Sequence, residues 1–112
     1  MRAISKAFAL SLAVLLVSVV FRNFVPPAQA AADPALGEKV YSSKRCAACH
    51  SLHGKGGKSG PPLSDIASKR DEQWLKAFLK DPKALNPESK MSRFKGTDEE
   101  LESLVAYLLT LK

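Results

Sequence analysis

The sequence predicts one all-α domain over residues 31–112, preceded by a signal peptide over residues 1–30. Three segments carry helix start signals followed by apolar residues at helical spacing. No segment alternates apolar and polar residues as a half-buried strand would. The connections between the three segments are long for a simple helical bundle. We therefore expect something other than helix contacts to fill the centre of the domain.

The N-terminus has the features of an export signal. Arg2 and Lys6 form a basic start, residues 7–21 are apolar apart from two serines, and residues 28–30 read Ala-Gln-Ala, a cleavage pattern. Cleavage would make Ala31 the first mature residue. The alternative is an uncleaved membrane anchor, but the apolar run of about 15 residues is shorter than the roughly 20 that span a bilayer.

The most informative stretch is Cys46-Ala47-Ala48-Cys49-His50. C-x-x-C-H is the attachment pattern of c-type haem. Residues three apart share one face of a helical turn, so two thiols reach the vinyl groups on one porphyrin edge. The next residue, His50, then offers its imidazole to the iron. A zinc site with His53, a thiol-disulfide site and a chance match are the alternatives.

Composition limits the function further. The motif uses both cysteines of the 112-residue chain, so no structural disulfide is expected. Removing residues 1–30 lowers the formal charge from +6 to +3, because Arg2, Lys6 and Arg22 leave with no acid. That charge gives no support for nucleic-acid binding. A domain this small has a thin core, and a covalently held haem would serve as a staple.

The first predicted helix has Asp33 as N-cap and Pro34 at its first position, and it continues to about Lys44. Gly37 lies on its apolar face, where we expect another helix to cross closely; a tolerated surface glycine is the alternative. The other members of that face are Leu36, Val40 and Tyr41.

Two more helices are predicted, over residues 71–80 and from Thr97 to about Leu111. The first has acids in its first turn, ends at Asp81-Pro82, and carries the apolar face Trp74, Leu75, Phe78 and Leu79. The second opens with the capping box Thr97-Asp98-Glu99-Glu100. Its apolar stripe is Leu101, Leu104, Val105, Leu108 and Leu111, with Tyr107 on the flank.

Residues 54–60 are rich in glycine and predict a mobile loop; their spacing does not fit a phosphate-binding loop. Gly60-Pro61-Pro62-Leu63 then stiffens the chain. A carbonyl oxygen at this point could accept a hydrogen bond from Nδ1–H of His50, which would orient the ring and raise its basicity.

Met91 is the only methionine after residue 30. A lone methionine is usually core filler. Because His50 leaves the sixth iron position open, we expect Met91 to fill it with a soft thioether. His53 is a competitor, but it is three residues from His50 and so on the same side as the proximal ligand. Water or an open site is the remaining alternative.

These residues together resemble the class I cytochrome c family over residues 33–112. The motif follows an N-terminal helix, and Gly37 with Tyr41 matches the family's glycine–aromatic pair. Leu104 with Tyr107 matches the aliphatic–aromatic pair of the C-terminal helix. Further matches are Gly60-Pro61-Pro62-Leu63 and the run Pro82, Pro87 and Lys90-Met91. Phe94 follows the methionine by three residues rather than two, and the short length is similar to small bacterial monohaem cytochromes.

The resemblance implies a fold in which the first and last helices cross steeply over a covalently bound haem. It implies that Pro61 bonds His50, and that Leu63, Trp74 and Phe78 wall the haem. The implied function is a one-electron carrier rather than an enzyme. The export signal together with covalent haem indicates a bacterial periplasm, and we expect a monomer. Membrane association would require an uncleaved signal.

Redox partner proteins are expected, with acidic docking surfaces if basic residues ring the haem edge. These residues are Lys44, Arg45, Lys55, Lys58, Lys90, Arg93 and Lys95; scattered solubility lysines are the alternative. Three rival functions stay open: a five-coordinate haem enzyme or gas sensor, an anchored subunit of a respiratory complex, and a binding module without a redox role.

Overall fold

The computed structural model describes residues 31–112. The helices in chain order are α1 (Pro34–Ser43), α2 (Glu72–Lys80), α3 (Pro82–Leu85) and α4 (Asp98–Leu108). Two 3-10 turns, Cys46–Ala48 and Ile66–Ser68, and two short strands, β1 (Ser51–Leu52) and β2 (Lys55–Gly56), complete the secondary structure of this range. The predicted signal peptide lies outside the described residues. None of these helices is both long and apolar enough to cross a bilayer.

The three longer helices begin where the sequence predicts. The Asp33 and Asp71 carboxylates each accept a hydrogen bond from a backbone N–H of the first turn, at 2.9 and 2.8 Å. At α4, Thr97 and Glu100 form a reciprocal capping box, with bonds of 3.1 and 3.0 Å. Each cap satisfies N–H groups that have no partner inside the helix. These boundaries are set locally, which is why the sequence alone locates them.

The prediction that the domain has no strand is wrong in one place. Strands β1 and β2 pair as an antiparallel hairpin. The two residues between them, His53 and Gly54, have positive φ angles of 49° and 81°. Two left-handed residues are what a tight two-residue hairpin requires, because their twist matches that of the strands. The hairpin depends on this turn rather than on apolar alternation.

A short helix begins at Pro82, where the sequence predicts only a break, and α4 ends earlier than predicted. Proline suits the first position of a helix, and Pro82 starts α3 after Asp81 has left helical geometry at φ −149°. Helix α4 ends at Leu108 rather than Leu111. The carbonyl of Leu111 accepts a hydrogen bond of 3.0 Å from the Ala67 N–H and so ties the chain end to the second 3-10 turn.

Helices α1 and α4 form the main helix contact. A Cβ on Gly37 would overlap the carbonyl oxygen of Ser103 and lie 2.7 Å from Cβ of Tyr107. The expected close crossing at Gly37 is confirmed, and the surface-glycine alternative is wrong. Beside the crossing, the Tyr41 and Tyr107 rings are tilted by 58° at 5.7 Å. The buried apolar core is Val40, Tyr41, Leu75, Leu79, Leu101, Leu104, Val105 and Leu108.

One polar side chain is buried at this crossing. Ser103 has no exposed surface, and its Oγ accepts a hydrogen bond from the Asp33 N–H at 3.2 Å. A buried hydroxyl without a partner would cost about 1–3 kcal/mol. The bond avoids that cost and holds the start of α1 against the middle of α4.

Helix α2 is held to α4 by apolar and ionic contacts. Leu75 and Leu79 supply its buried face. At the surface, the Lys76 ammonium lies 2.6 Å from Glu72 and 2.5 Å from Glu102. The hydrogen bonds that the ammonium donates to the carboxylates of Glu102 and Glu72 raise the pKa of Lys76. Exposed ion pairs contribute about 1 kcal/mol or less, so apolar burial dominates this contact.

Candidate functional site

The C-x-x-C-H stretch forms a tight turn directly after α1. Arg45 adopts a left-handed conformation (φ 58°, ψ 37°), which turns the chain away from the helix axis. The N–H groups of Cys49 and His50 both donate to the carbonyl of Cys46, at 3.2 and 3.0 Å. Both thiols are free, with Cys46 half-buried and Cys49 exposed. Burial raises the pKa of the Cys46 thiol.

The imidazole of His50 is oriented by a backbone carbonyl. Its Nδ1 lies 2.8 Å from the oxygen of Pro61. A carbonyl oxygen only accepts, so Nδ1 carries the proton and Nε2 keeps its lone pair for a metal. The hydrogen bond expected between these two residues is therefore present.

The glycine-rich segment braces the turn. The Gly57 N–H donates to the carbonyl of Ala47 at 2.8 Å, and the Gly60 N–H donates to the carbonyl of Cys49 at 2.7 Å. A Cβ on Gly60 would lie 2.6 Å from Cε1 of His50. The prediction of a mobile loop over residues 54–60 is wrong, because backbone bonds and close packing tie this segment to the motif.

Met91 lies on a segment without helix or strand, between α3 and α4. Its side chain is half-buried and packs against the core cluster. The segment is fixed by a 2.7 Å hydrogen bond from the Phe94 N–H to the carbonyl of Leu79. Met91 also lines a cavity of about 340 Å³, whose other walls are Asp81, Pro82, Lys83, Lys90, Ser92 and Arg93. Met91 therefore contacts the core and also borders a cavity.

The apolar face of α2 divides into two rows. Leu75 and Leu79 are buried, whereas Trp74 and Phe78 remain half-buried. The two aromatic rings stack 4.7 Å apart and within 10° of parallel. The guanidinium of Arg70 lies over the outer ring, 4.3 Å from the centroid of Trp74. The stack presents flat apolar surface that the rest of the described chain leaves partly uncovered.

Tyr41 carries a buried hydroxyl without a hydrogen-bond partner among residues 31–112. Burial, with a smaller contribution from Cys46, raises the pKa of this phenol. Buried polar atoms are nearly always paired, so this one indicates a partner outside the described residues, such as a cofactor or a water. Sequence analysis missed this atom, because only the fold places it beside the motif.

These residues fit a covalently held haem. Two free thiols three residues apart would attach it, the Nε2 lone pair of His50 would ligate the iron, and Met91 offers a thioether. Leu63, another predicted wall residue, is half-buried and packs against the core cluster.

The alternatives have less support. No three His, Cys, Asp or Glu side chains gather around one point within residues 31–112, whereas zinc requires four ligands. Among the same residues the only sheet is the two-stranded hairpin, unlike the βαβ unit around thiol-disulfide motifs. His53 is exposed in the hairpin turn, where its N–H donates to Oγ of Ser64 at 2.7 Å.

Known proteins resemble this chain in sequence. A cytochrome c family model matches residues 34–112. A cytochrome c2 of Rhodospirillum rubrum is 35% identical, over 76% of this chain and 85% of that protein. A cytochrome c2 of Pararhodospirillum photometricum is 32% identical, over 73% of this chain and all of the relative. A cytochrome c-554 of Methylosinus trichosporium is 33% identical, over 74% of this chain and 77% of the relative.

The fold has a solved counterpart. A crystal structure of SoxXA from P. pantotrophus superposes with a TM-score of 0.63 at 21% identity, covering 75% of this chain and 85% of that one. The likeness to that structure concerns the fold alone. The family match spans nearly all of the described residues and includes the single C-x-x-C-H motif. The chain therefore belongs to the cytochrome c family, and it is an electron-transfer protein with one covalent haem c rather than an enzyme.

Proposed function

We propose that this protein is an exported one-electron carrier of a respiratory or related electron-transfer chain, with His50 and Met91 as axial ligands and Cys46 and Cys49 as haem attachments. The observation that carries the proposal is the 2.8 Å bond between Nδ1 of His50 and the oxygen of Pro61. It leaves Nε2 of a fixed ring free beside two unpaired thiols.

The bound haem supplies Fe(III)/Fe(II) cycling, which the polypeptide itself lacks. His50 binds with a ring whose rotation is restricted by Pro61 and by the backbone at Gly60. The same hydrogen bond raises the basicity of Nε2. A ring held in this way would keep one orientation towards a bound iron.

Met91 would supply the second protein ligand to the iron, through its thioether sulfur. A thioether is soft and favours the reduced metal, which raises the potential relative to a nitrogen or oxygen ligand. Leu63, Trp74 and Phe78 supply apolar surface that excludes water from the haem. If His50 and Met91 both hold the iron, no position is left for a small substrate, which favours a carrier over a sensor.

Electron exchange needs a partner that docks near the haem edge. Seven basic residues are exposed around the motif, the hairpin and the methionine segment: Lys44, Arg45, Lys55, Lys58, Lys90, Arg93 and Lys95. They would attract acidic partner surfaces and speed encounter at low ionic strength. Electron-transfer rates with an acidic partner should then fall steeply as salt is added, and a flat salt response removes the docking proposal.

Residues 1–30 complete the proposal. Their pattern supports export to a bacterial periplasm with cleavage after Ala30, leaving a soluble monomer. Intact mass of the purified protein tests this directly, since it gives the chain start and the added haem together.

The deciding experiment is a visible spectrum of the purified protein, recorded together with its intact mass. We expect the mass of residues 31–112 plus one haem, a reduced c-type spectrum, and the weak far-red band that sulfur ligation gives to ferric haem. A colourless product of polypeptide mass overturns the proposal. A haem protein without the sulfur band supports the five-coordinate rival, and a mass that includes residues 1–30 supports the anchored one.

A further inference from the structure

Residues 61–67, called the proximal segment below, follow the glycine-rich segment and run into the second 3-10 turn. They have no helix or strand before that turn, so individual contacts must fix their position. Two backbone contacts hold the end nearest the motif. The Pro61 oxygen accepts the 2.8 Å bond from Nδ1 of His50. The Leu63 N–H donates to the carbonyl of Ser51 at 2.9 Å.

The other end of the proximal segment is held by the residues that follow α4. The Ala67 N–H donates to the Leu111 carbonyl at 3.0 Å. The first N–H groups of a helical turn have no partner within the turn, so this bond satisfies a donor that would otherwise lack one. The acceptor is itself held in place. The Leu111 N–H donates to Leu108 at 3.1 Å, and the hydroxyl of Thr110 donates to the carbonyl of Tyr107 at 2.6 Å.

The contact between Ala67 and Leu111 joins two distant parts of the chain. The other backbone hydrogen bonds of residues 64–67 within the described range link positions only three or four apart. Apolar contacts support the same arrangement, because Leu63, Ile66 and Leu111 are all half-buried and pack against the core cluster. The proximal segment is therefore attached to the motif at one end and to the end of α4 at the other.

We propose that Leu111 is a positioning residue for the proximal iron ligand. Its carbonyl holds Ala67, which keeps the proximal segment against the motif and so keeps the Pro61 oxygen at Nδ1 of His50. The proposal rests on the proposed function, in which His50 binds the iron. Its physical basis is that a segment fixed at both ends opens less often than a segment fixed at one end.

Three variants of the residues after α4 isolate the carbonyl. A chain that ends at Thr110 lacks both the carbonyl and the side chain of Leu111. A chain that ends at Leu111 keeps an acceptor there, because its terminal carboxylate takes the place of the carbonyl. Leu111→Ala keeps the carbonyl and loses most of the side chain. Comparing these variants separates the hydrogen bond from apolar packing and from the loss of Lys112.

Hydrogen exchange in the reduced holoprotein, followed by NMR, measures how often the bond to the His50 ring opens. Loss of one backbone hydrogen bond corresponds to a roughly fivefold rise in the population of the open segment. The Nδ1 proton of His50 and the Leu63 N–H should therefore exchange about fivefold faster in the chain that ends at Thr110. Exchange of the His50 proton should stay within twofold of wild type in the chain that ends at Leu111, and Leu111→Ala should have a clearly smaller effect than loss of the carbonyl.

A proton outside the proximal segment distinguishes local opening from a general loss of stability. The Phe94 N–H, which donates to Leu79, should exchange at the wild-type rate in each variant. Equal acceleration of the Phe94 and His50 protons overturns the positioning role. The role is also overturned if the His50 proton of the chain that ends at Thr110 exchanges within twofold of wild type.

A substitution pair decides the question even if the chain that ends at Thr110 fails to fold, as circular dichroism would reveal. Leu111→Gly and Leu111→Ala both lose the side chain, but glycine also frees the backbone that presents the carbonyl. The His50 proton should exchange roughly twofold to fivefold faster in Leu111→Gly than in Leu111→Ala, and equal rates overturn the role. A wild-type holoprotein whose His50 ring protons lack the shift that an adjacent haem imposes overturns the ligation proposal instead, so the two failures differ.

Discussion

Replacing Gly37 by Ala sets two known effects against each other. In an isolated helix, alanine is favoured over glycine by about 1 kcal/mol. In this fold the new methyl would overlap the carbonyl oxygen of Ser103, and it would lie 2.6 Å from the carbonyl carbon and 2.7 Å from Cβ of Tyr107. Two of these atoms are backbone, so no rotamer change removes the overlap.

The loss of stability follows from the separation of α1 and α4 that the new methyl group requires. Ordinary contact requires α1 and α4 to separate, which loosens the packing of buried side chains such as Val40 and Leu104 on both helices. Overpacking a core in this way costs about 3 kcal/mol. Subtracting the helix-propensity gain leaves a loss of about 2 kcal/mol in the free energy of unfolding. For a domain of this size that lowers Tm by roughly 10 °C.

Urea and thermal unfolding of the ferric holoprotein, followed by circular dichroism, measure the loss. Ser42→Ala on the exposed side of α1 is the matched control and should change the free energy of unfolding by less than about 0.5 kcal/mol. A Gly37→Ala protein as stable as the wild type would refute the reasoning, since helix propensity would then outweigh the crossing.

The other predictions concern the site. Met91→Ala should lower the reduction potential by on the order of a hundred millivolts and allow small ligands to bind; voltammetry decides, and an unchanged potential excludes Met91 as ligand. Gly60→Ala should displace the His50 ring, because the new Cβ would lie 2.6 Å from Cε1, and so reduce the yield of holoprotein; wild-type yield and spectrum contradict this. Tyr41→Phe removes a buried hydroxyl whose partner lies outside the described residues, and it should lower the free energy of unfolding of the holoprotein by about 1 kcal/mol in urea unfolding; an unchanged or higher value would show that the hydroxyl has no such partner. Burial raises the pKa of Tyr41 and Tyr107, so the fold favours the neutral phenols. This stabilisation is complete below pH about 10, the pKa of an unfolded tyrosine, and is lost as pH rises through the folded pKa values. Spectrophotometric titration should therefore show both phenols ionising at higher pH in the native protein than in the urea-unfolded protein.

Sequence analysis succeeded where the determinants are local. Asp33, Asp71 and the Thr97–Glu100 pair fix helix starts within one turn, and the structure has each cap. The bond from His50 to Pro61 was also predictable, because a proline carbonyl is a free acceptor a short distance beyond the motif.

Other features depend on residues that are distant in sequence. The sequence does not explain a buried hydroxyl at Ser103 on the apolar face of a helix, because its hydrogen-bond partner, the Asp33 N–H, is distant in the chain. The contacts of Lys44 with the Phe94 ring and the Glu100 carboxylate form only where the ends of two helices meet a loop. The hairpin at His53-Gly54 was missed because two-residue strands give no periodic signal, and only the positive φ angles identify the turn. Composition alone also did not predict the ordered segment 54–60, because it does not indicate which carbonyl groups accept hydrogen bonds from its N–H groups.

The bond between Asp33 and Ser103 joins positions 70 residues apart. Closing so large a loop costs chain entropy before any contact compensates for it, and the helix pair cannot assemble before α4 has been synthesised. Folding must wait for the last helix, and until then the first helix has no surface to pack on. Cys46 and Cys49 lie between these two helices in the chain, and they therefore pass through a stage in which no completed core shields their thiols from solvent.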